Sequence, residues 1–536
     1  MAHSQGNVGR SAEEARDLRG ARSLVVLVAI QALAVVALAV WLLVLQRPLG
    51  YREEWRIQVR PPSVGLAQPF GPLLVVIAFG GAAGYLAYLV RRHRTDRWRR
   101  WFVALFVVTL VVGVYALQVA ALLVPQFALP FVVASTTSDI ATEYFVVADH
   151  IVGVGEFLRT YDVAMAHSQH HLATHPPGAV LVYWALIKLW DSTPGLAVPF
   201  AVWLENAAGM DIEYMSEWSA QFPGVRSPPP GDVPKAAFCS LMLPWFGALS
   251  LVPIYLLAAA LQRARAACSD EAPGDSAPLA SLALMATVPS LVLFIPALDQ
   301  AVLLCAAWAL YAVVAGWLRG RWWATLLGGV ALGLGCFVSF GLTAVGPVLA
   351  VFIALTARRG RDDRGCAVRH SLLHLAALLA GVLAVAVFAQ LALGVNVPAV
   401  WRQGMAAHAA LTHTRTYPVW LGLNLVEFAV FLGLPIAVAL LAGLISTRRW
   451  REALREPHFA LAAATVLIIL VLDVSGRIRG EVGRIWLFLL PPLALYAGSW
   501  LGQRRLAAYH LGATIGLQIV QLWLMALALA PFVRPY

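Results

Sequence analysis

Charge is what this 536-residue sequence has least of. Asp, Glu, Lys and Arg together make up 12% of it, against 60% apolar residues. A soluble domain carries about 25% charged residues, so a soluble multidomain enzyme is excluded. A disordered chain is excluded as well, because disorder needs charge where this chain has apolar side chains. Lysine is almost missing, with Lys188 and Lys235 the only two. The five cysteines (Cys239, Cys268, Cys305, Cys336 and Cys366) contain no CxxC pair. That excludes a disulfide scaffold and a zinc site of familiar spacing. What the chain does have is a mean hydropathy of +0.75, which leaves a polytopic membrane protein.

In hydrocarbon a segment must satisfy its own backbone hydrogen bonds, so apolar runs of roughly 17–25 residues are read as spanning helices. They predict an all-α fold of about 13 spans, near 23–46, 70–90, 101–124, 236–262, 279–296, 300–317, 323–339, 341–357, 371–394, 418–445, 457–473, 486–500 and 507–530. The first run is too long for a signal-peptide core and is expected to remain as a helix. Residues 177–190 are apolar but short, and are expected to lie along the membrane. Arginine placement supports that choice. With the N-terminus cytoplasmic, seven short inner loops hold 25 of the 39 Lys and Arg residues, as the positive-inside rule requires. The net charge of +11 and pI near 9.7 are therefore a topology signal, and no basic-aromatic surface pattern points to nucleic acid.

Three parts follow from this reading: residues 1–100, a cytoplasmic tail and two spans; 101–357, a membrane module with a large outer loop at 125–235; and 358–536, further spans with outer loops at 395–417 and 474–485. The 125–235 loop holds eleven acids and four bases, and a loop of that size among short connections is usually functional. It opens with Ser138-Asp139-Ile140-Ala141-Thr142-Glu143-Tyr144-Phe145. On a helix Asp139 and Glu143 share a face, where a carboxylate can act as general base. Ser138 or Asp139 could equally be a plain N-cap.

Further on, Thr174-His175-Pro176-Pro177-Gly178 holds His175 at the mouth of a helix, whose positive end attracts phosphate. His167, His170, His171 and His175 have no metal-site spacing, and His175 precedes a proline that disfavours helix there. Asp299 interrupts apolar sequence, as do Glu427 and Asp473. Acids in such places are functional candidates by default. Arg477, Arg479 and Arg484 break the positive-inside pattern beside Glu481, and arginine suits an anionic phosphate.

In this order, SDIATEYF, Tyr161-Asp162, THPPG, Phe294-Ile295-Pro296-Ala297-Leu298-Asp299 and Gly480-Glu481-Val482-Gly483-Arg484 resemble the GT-C glycosyltransferases. The likeness is to protein O-mannosyltransferases and to bacterial aminoarabinose and mannosyl transferases, over roughly residues 101–500. The chain departs from the mannosyltransferase pattern at Ile140, where an acid follows the first one, and in carrying two spans before the acidic loop.

The resemblance implies an inverting transfer from a polyprenyl-phosphate sugar to a cell-envelope acceptor (lipid-linked, glycan or protein) at the outer face of the plasma membrane. It implies Asp139, Glu143 and Asp299 as catalytic residues, and His175, Arg477, Arg479, Glu481 and Arg484 as substrate-binding residues. It allows a divalent cation, Mg2+ or Mn2+, without requiring one. The competing expectation is a secondary transporter or lipid flippase, which would show internal repeats and midplane binding groups. The Arg and Ala bias fits a high-GC bacterial genome.

Overall fold

The computed structural model describes residues 22–530 except 52–53, 62–63, 94–95, 169–170, 223–224, 226, 268–275, 359–362 and 505. Arg94, His170, Arg226 and Cys268 thus lie outside the described residues. Helix dominates. Among the described residues, eight helices are long and apolar enough to cross a membrane: Arg22–Val44, Gly71–Arg92, Arg97–Leu122, Asp232–Ala266, Asp299–Leu318, Arg364–Leu391, Pro457–Val474 and Ala507–Ala528. Large apolar side chains such as Ile77, Leu391 and Ile445 stand exposed around them, far beyond what a water-facing surface tolerates.

The count differs from the expected thirteen because two of the runs, 418–445 and 279–296, are broken, and three more, 323–339, 341–357 and 486–500, form helices of no more than 17 residues. Residues 418–445 form two helices, Tyr417–Leu432 and Leu434–Ser446, bent by 109°. Gly433 makes the break, with φ of +101°, and a Cβ there would meet the Gln518 amide at 1.8 Å. If this pair crosses as one unit, the spans number nine. The 279–296 run breaks before Pro289, which opens its own short helix Pro289–Leu293. Ala277–Ala286, Trp322–Val338, Phe340–Thr356 and Leu487–Gly502 are apolar helices of 10–17 residues.

Three short strands depart from the all-α expectation. Leu49–Tyr51 (β1) and Trp55–Val59 (β2) pair as an antiparallel hairpin, and Leu529–Ala530 (β3) adds to β2. Arg60 ties the hairpin down by donating from Nη2 to the carbonyls of Ala526 at 2.8 Å and Leu529 at 3.1 Å.

Residues 128–219 fold as a run of short helices, from Ala128–Thr136 to Ile212–Ser219. Their own core (Tyr161, Met165, Tyr183, Leu186) is continuous with Phe238 and Leu298 of the bundle, so this cap is seated on the end where Asp299 begins its helix. The helix Gly178–Asp191 is 14 residues long and shorter than every candidate span. It buries Val180, Tyr183, Ile187 and Trp190, one face at helical spacing. Its first residue must be glycine for contact reasons, since a Cβ on Gly178 would meet the Phe337 carbonyl at 2.2 Å.

Candidate functional site

Five segments meet at this end of the bundle. The first is the acidic motif, and here the structure corrects the sequence reading. Residues 137–142 are turns, and a helix starts only at Tyr144, so Asp139 and Glu143 do not share a helix face. Ser138 directs the turn, its Oγ accepting from the backbone N–H of Ile140 at 3.1 Å and Ala141 at 3.0 Å. These are the bonds of an N-cap, as the sequence allowed, but the turns that follow do not continue as helix. Glu143 follows in the left-handed region at φ of +60°. Asp139 is partly buried, and its carboxylate makes no hydrogen bond or ion pair among the described residues.

The second segment is the histidine stretch. The helix Tyr161–His167 ends at Ser168, which is extended, and a single turn His171–Thr174 follows. No common face therefore carries His167, His171 and His175. Glu143 Oε2 pins this stretch, accepting from Ser168 Oγ at 2.7 Å and from the Leu172 N–H at 3.4 Å. Tyr161 donates its hydroxyl to the His175 carbonyl at 2.8 Å. The His175 ring packs edge-on to Tyr144, with centroids 5.6 Å apart.

His175 Nδ1 lies 3.1 Å from the His171 carbonyl. Nδ1 also lies 2.9 Å from Thr174 Oγ1, whose hydroxyl donates to the same His171 carbonyl at 3.0 Å; assigning the proton to Nδ1 satisfies both oxygens and leaves Nε2 its lone pair. Burial pushes the His175 pKa down to about 3, helped by neighbouring His171, Arg484 and His408. His175 is a neutral imidazole at physiological pH, and it cannot supply the positive charge a phosphate needs.

The third and fourth segments form the charged centre. Arg484 places Nε 3.7 Å from Asp299 Oδ2 and Nη2 3.0 Å from Glu481 Oε2. Glu481 Oε1 accepts from Arg415 Nη2 at 2.8 Å, so one carboxylate lies between two guanidinium groups. Burial opposes ionisation of Glu481, but Arg484 and Arg415 outweigh it and hold this carboxyl below its usual range. Glu481, like Glu143, is left-handed, at φ of +64°. Among the described residues, two of the four non-glycine residues with positive φ are thus site acids, and strain of this kind collects at functional sites.

Arg479 is committed to the loop itself. Its guanidinium donates to the carbonyls of Gly476 and Arg415 and lies 5.6 Å from the centre of the Tyr417 ring. Arg477 is exposed, and its side chain has no partner among the described residues. His408 bonds the Arg477 backbone, and burial lowers its pKa against the pull of Glu481.

The fifth segment is the helix Tyr417–Leu432, which braces this loop from below. Asn424 Nδ2 donates to Asp473 Oδ1 and to the Ile478 carbonyl, both at 2.9 Å, while its Oδ1 accepts from the Gly480 N–H at 2.8 Å. Glu427 Oε1 accepts from the Gly483 N–H at 2.9 Å. The two membrane acids Glu427 and Asp473 are thus loop supports in this structure. Glu54, from the hairpin, accepts from the Thr416 N–H and from Trp420 Nε1 at 2.5 Å, fixing the same loop from above.

The structure therefore joins Asp299, Glu481 and Arg484 directly, and places His175, packed on Tyr144, within electrostatic reach of Arg484. The sequence reading missed Arg415, His408, Tyr144 and Glu54. Arg415 was detectable, since it is a basic residue in the 395–417 loop and breaks the same charge rule that exposed Arg477 and Arg484. Among the described residues, no group of three or more His, Cys, Asp or Glu is placed to hold a metal ion. No protein family, curated protein or solved structure matches this chain.

Proposed function

We propose that this protein is an inverting GT-C-type glycosyltransferase that takes its sugar from a polyprenyl phosphate and acts at the outer face of the plasma membrane on a cell-envelope acceptor. The observation that carries the reading is the convergence of Arg484 with Asp299 and Glu481 beside the neutral His175. It gathers, from three distant stretches, a cation for a leaving phosphate and acceptors for sugar hydroxyls. The proposal includes about thirteen crossings, in which the helices of 10–17 residues also traverse the bilayer, and a cytoplasmic N-terminus.

In the proposed reaction Asp139 takes the proton of an acceptor hydroxyl. The freed oxygen attacks the anomeric carbon from the face opposite the phosphate. As that C–O bond forms, the bond from the anomeric carbon to the phosphate oxygen breaks, and polyprenyl phosphate leaves with the electron pair. The leaving group is already an anion, so charge stabilisation serves better than a general acid. Arg484 supplies it, with Arg415 and Glu481 orienting Arg484, while the exposed Arg477 holds the donor phosphate equally before and during transfer. Neutral His175 accepts a sugar or acceptor hydroxyl at Nε2. A divalent cation would act as additional charge on the phosphate, and the reaction as written does not need one.

The bent pair at Gly433 is the feature that a transporter would share, since broken helices there expose backbone groups to a solute. In this chain those groups are taken. Gln521 Oε1 accepts from the Leu434 N–H at 2.8 Å and Gln521 Nε2 donates to the Val430 carbonyl at 2.8 Å. Gln518 Nε2 donates to the Leu432 carbonyl at 3.2 Å. This weighs against transport.

The test is purified protein in proteoliposomes with a sugar-labelled polyprenyl phosphate and a cell-envelope extract as acceptor. Label leaving the donor, with polyprenyl phosphate accumulating, supports transfer. Label crossing the bilayer on intact donor would overturn it.

A further inference from the structure

Away from the charged centre, an apolar cleft of about 330 Å3 lies between the helices Gly71–Arg92, Arg97–Leu122, Ala277–Ala286 and Ala507–Ala528. Its walls are apolar and glycine-rich, and its only polar lining side chains are Thr287 and Arg91. At Gly84 a Cβ would meet nothing within 4 Å, so this wall faces open space. The lining runs along the first helix from Val75 to Arg91, about 24 Å at ~1.5 Å per residue, most of the hydrocarbon depth of about 30 Å. That volume over that length is far too narrow for a helix of ~10–12 Å diameter. It suits a single hydrocarbon chain.

The charge at one end says which chain. Arg91 also lines an adjoining recess of about 310 Å3, with Tyr509 and Leu506, so it stands where the two spaces meet. Its guanidinium has no hydrogen bond or ion pair among the described residues. The connection 91–100 carries six arginines and a single acid, Asp96. A basic pocket between spanning helices, opening at a basic membrane face, fits an anionic lipid headgroup. Arg91 ends the first of these helices and Asp299 begins its own at the capped end of the bundle, so this headgroup position is separate from the charged centre around Arg484.

We propose that the cleft binds one acyl chain of an anionic phospholipid, with the lipid phosphate on Arg91. The test is native mass spectrometry of the full-length protein after exchange into nanodiscs of equal parts dioleoyl phosphatidylglycerol and dioleoyl phosphatidylcholine. The expected result is at least about fivefold more retained phosphatidylglycerol than phosphatidylcholine, the preference one arginine confers at ~1 kcal/mol. Arg91→Gln, at an exposed position that leaves the fold intact, is expected to abolish the preference. Gly84→Phe, which fills the cleft, is expected to abolish retention of both lipids, with thermal unfolding confirming a folded protein.

If Gly84→Phe does not fold, Ala83→Leu takes its place. Equal retention of the two lipids by the wild type overturns the proposal, as does an unchanged preference in Arg91→Gln. Displacement of phosphatidylglycerol by uncharged polyprenol at equal concentration would overturn it too, by making the cleft a prenyl-tail groove.

Discussion

Arg484 and Asp299 meet at 3.7 Å, Nε to Oδ2, although they enter from different helices and different thirds of the chain. Arg484 also bonds Glu481 at 3.0 Å. The guanidinium is thus held by two carboxylates in a fixed direction, which is what preorganised stabilisation of a leaving phosphate requires. Arg484→Gln is expected to lower kcat for sugar transfer by roughly 10²–10³-fold. Arg484→Lys should recover little, because an ammonium group cannot span both acids in one plane. Steady-state transfer kinetics on the two variants check this.

Arg477 and Arg479 are expected to separate. Arg477 is exposed without a partner among the described residues, so Arg477→Ala should raise the KM for the donor about tenfold, the loss of one charge-assisted contact, with kcat nearly unchanged. Arg479 holds backbone carbonyls, so Arg479→Ala should lower the unfolding temperature and kcat together. Kinetics and thermal unfolding of both variants test the division.

His175 has a sign that can be tested by pH. Its folded pKa is near 3 against an ordinary 6.5, because burial penalises the imidazolium. Between those values the unfolded chain binds more protons than the folded one, so stability falls as pH falls. The contribution is complete above pH 6.5 and declines below it, toward pH 3. His175→Gln should therefore lose less thermal stability than the wild type between pH 7 and pH 4.5. Transfer by the wild type should show no titration of His175 between pH 5 and pH 8.

Glu427 is predicted to act as a support for the 480–484 loop through one oxygen. Glu427→Gln keeps an acceptor for the Gly483 N–H and should retain nearly full transfer. Glu427→Leu leaves that N–H unpaired, at a cost of about 1–3 kcal/mol in stability, and should lose activity with it. Equal loss in both variants would show that the charge itself matters.

The helical, membrane-spanning character was legible because apolar length is a strong signal, but only eight of the thirteen predicted runs form full-length spanning helices among the described residues. Where the runs break was less legible. The 109° bend depends on Gln518 occupying the space beside Gly433, a contact 85 residues away in sequence. The strand β2 had a signal in its alternation, with Trp55, Ile57 and Val59 on the packed face and Arg56 and Gln58 on the other, but it is only five residues long. Asp299, His175, Glu481 and Arg484 were visible as charges out of place. Glu54 was hidden because an acid in a polar connection looks solvated, and only the fold reveals Trp420 above it. Asp139 and Glu143 could not share a helix because Glu143 itself is left-handed, at φ of +60°, although Ser138 makes the side-chain bonds of an N-cap.

The most direct test of glycosyl transfer is a single-turnover measurement with labelled polyprenyl-phosphate sugar, comparing wild type and Asp139→Asn. The wild type should release polyprenyl phosphate and yield a product of inverted anomeric configuration. Asp139→Asn should bind the donor with unchanged affinity and turn it over at least about 10²-fold more slowly, as loss of a general base predicts. Full-rate transfer by Asp139→Asn would contradict the mechanism, and no transfer by the wild type would contradict the function.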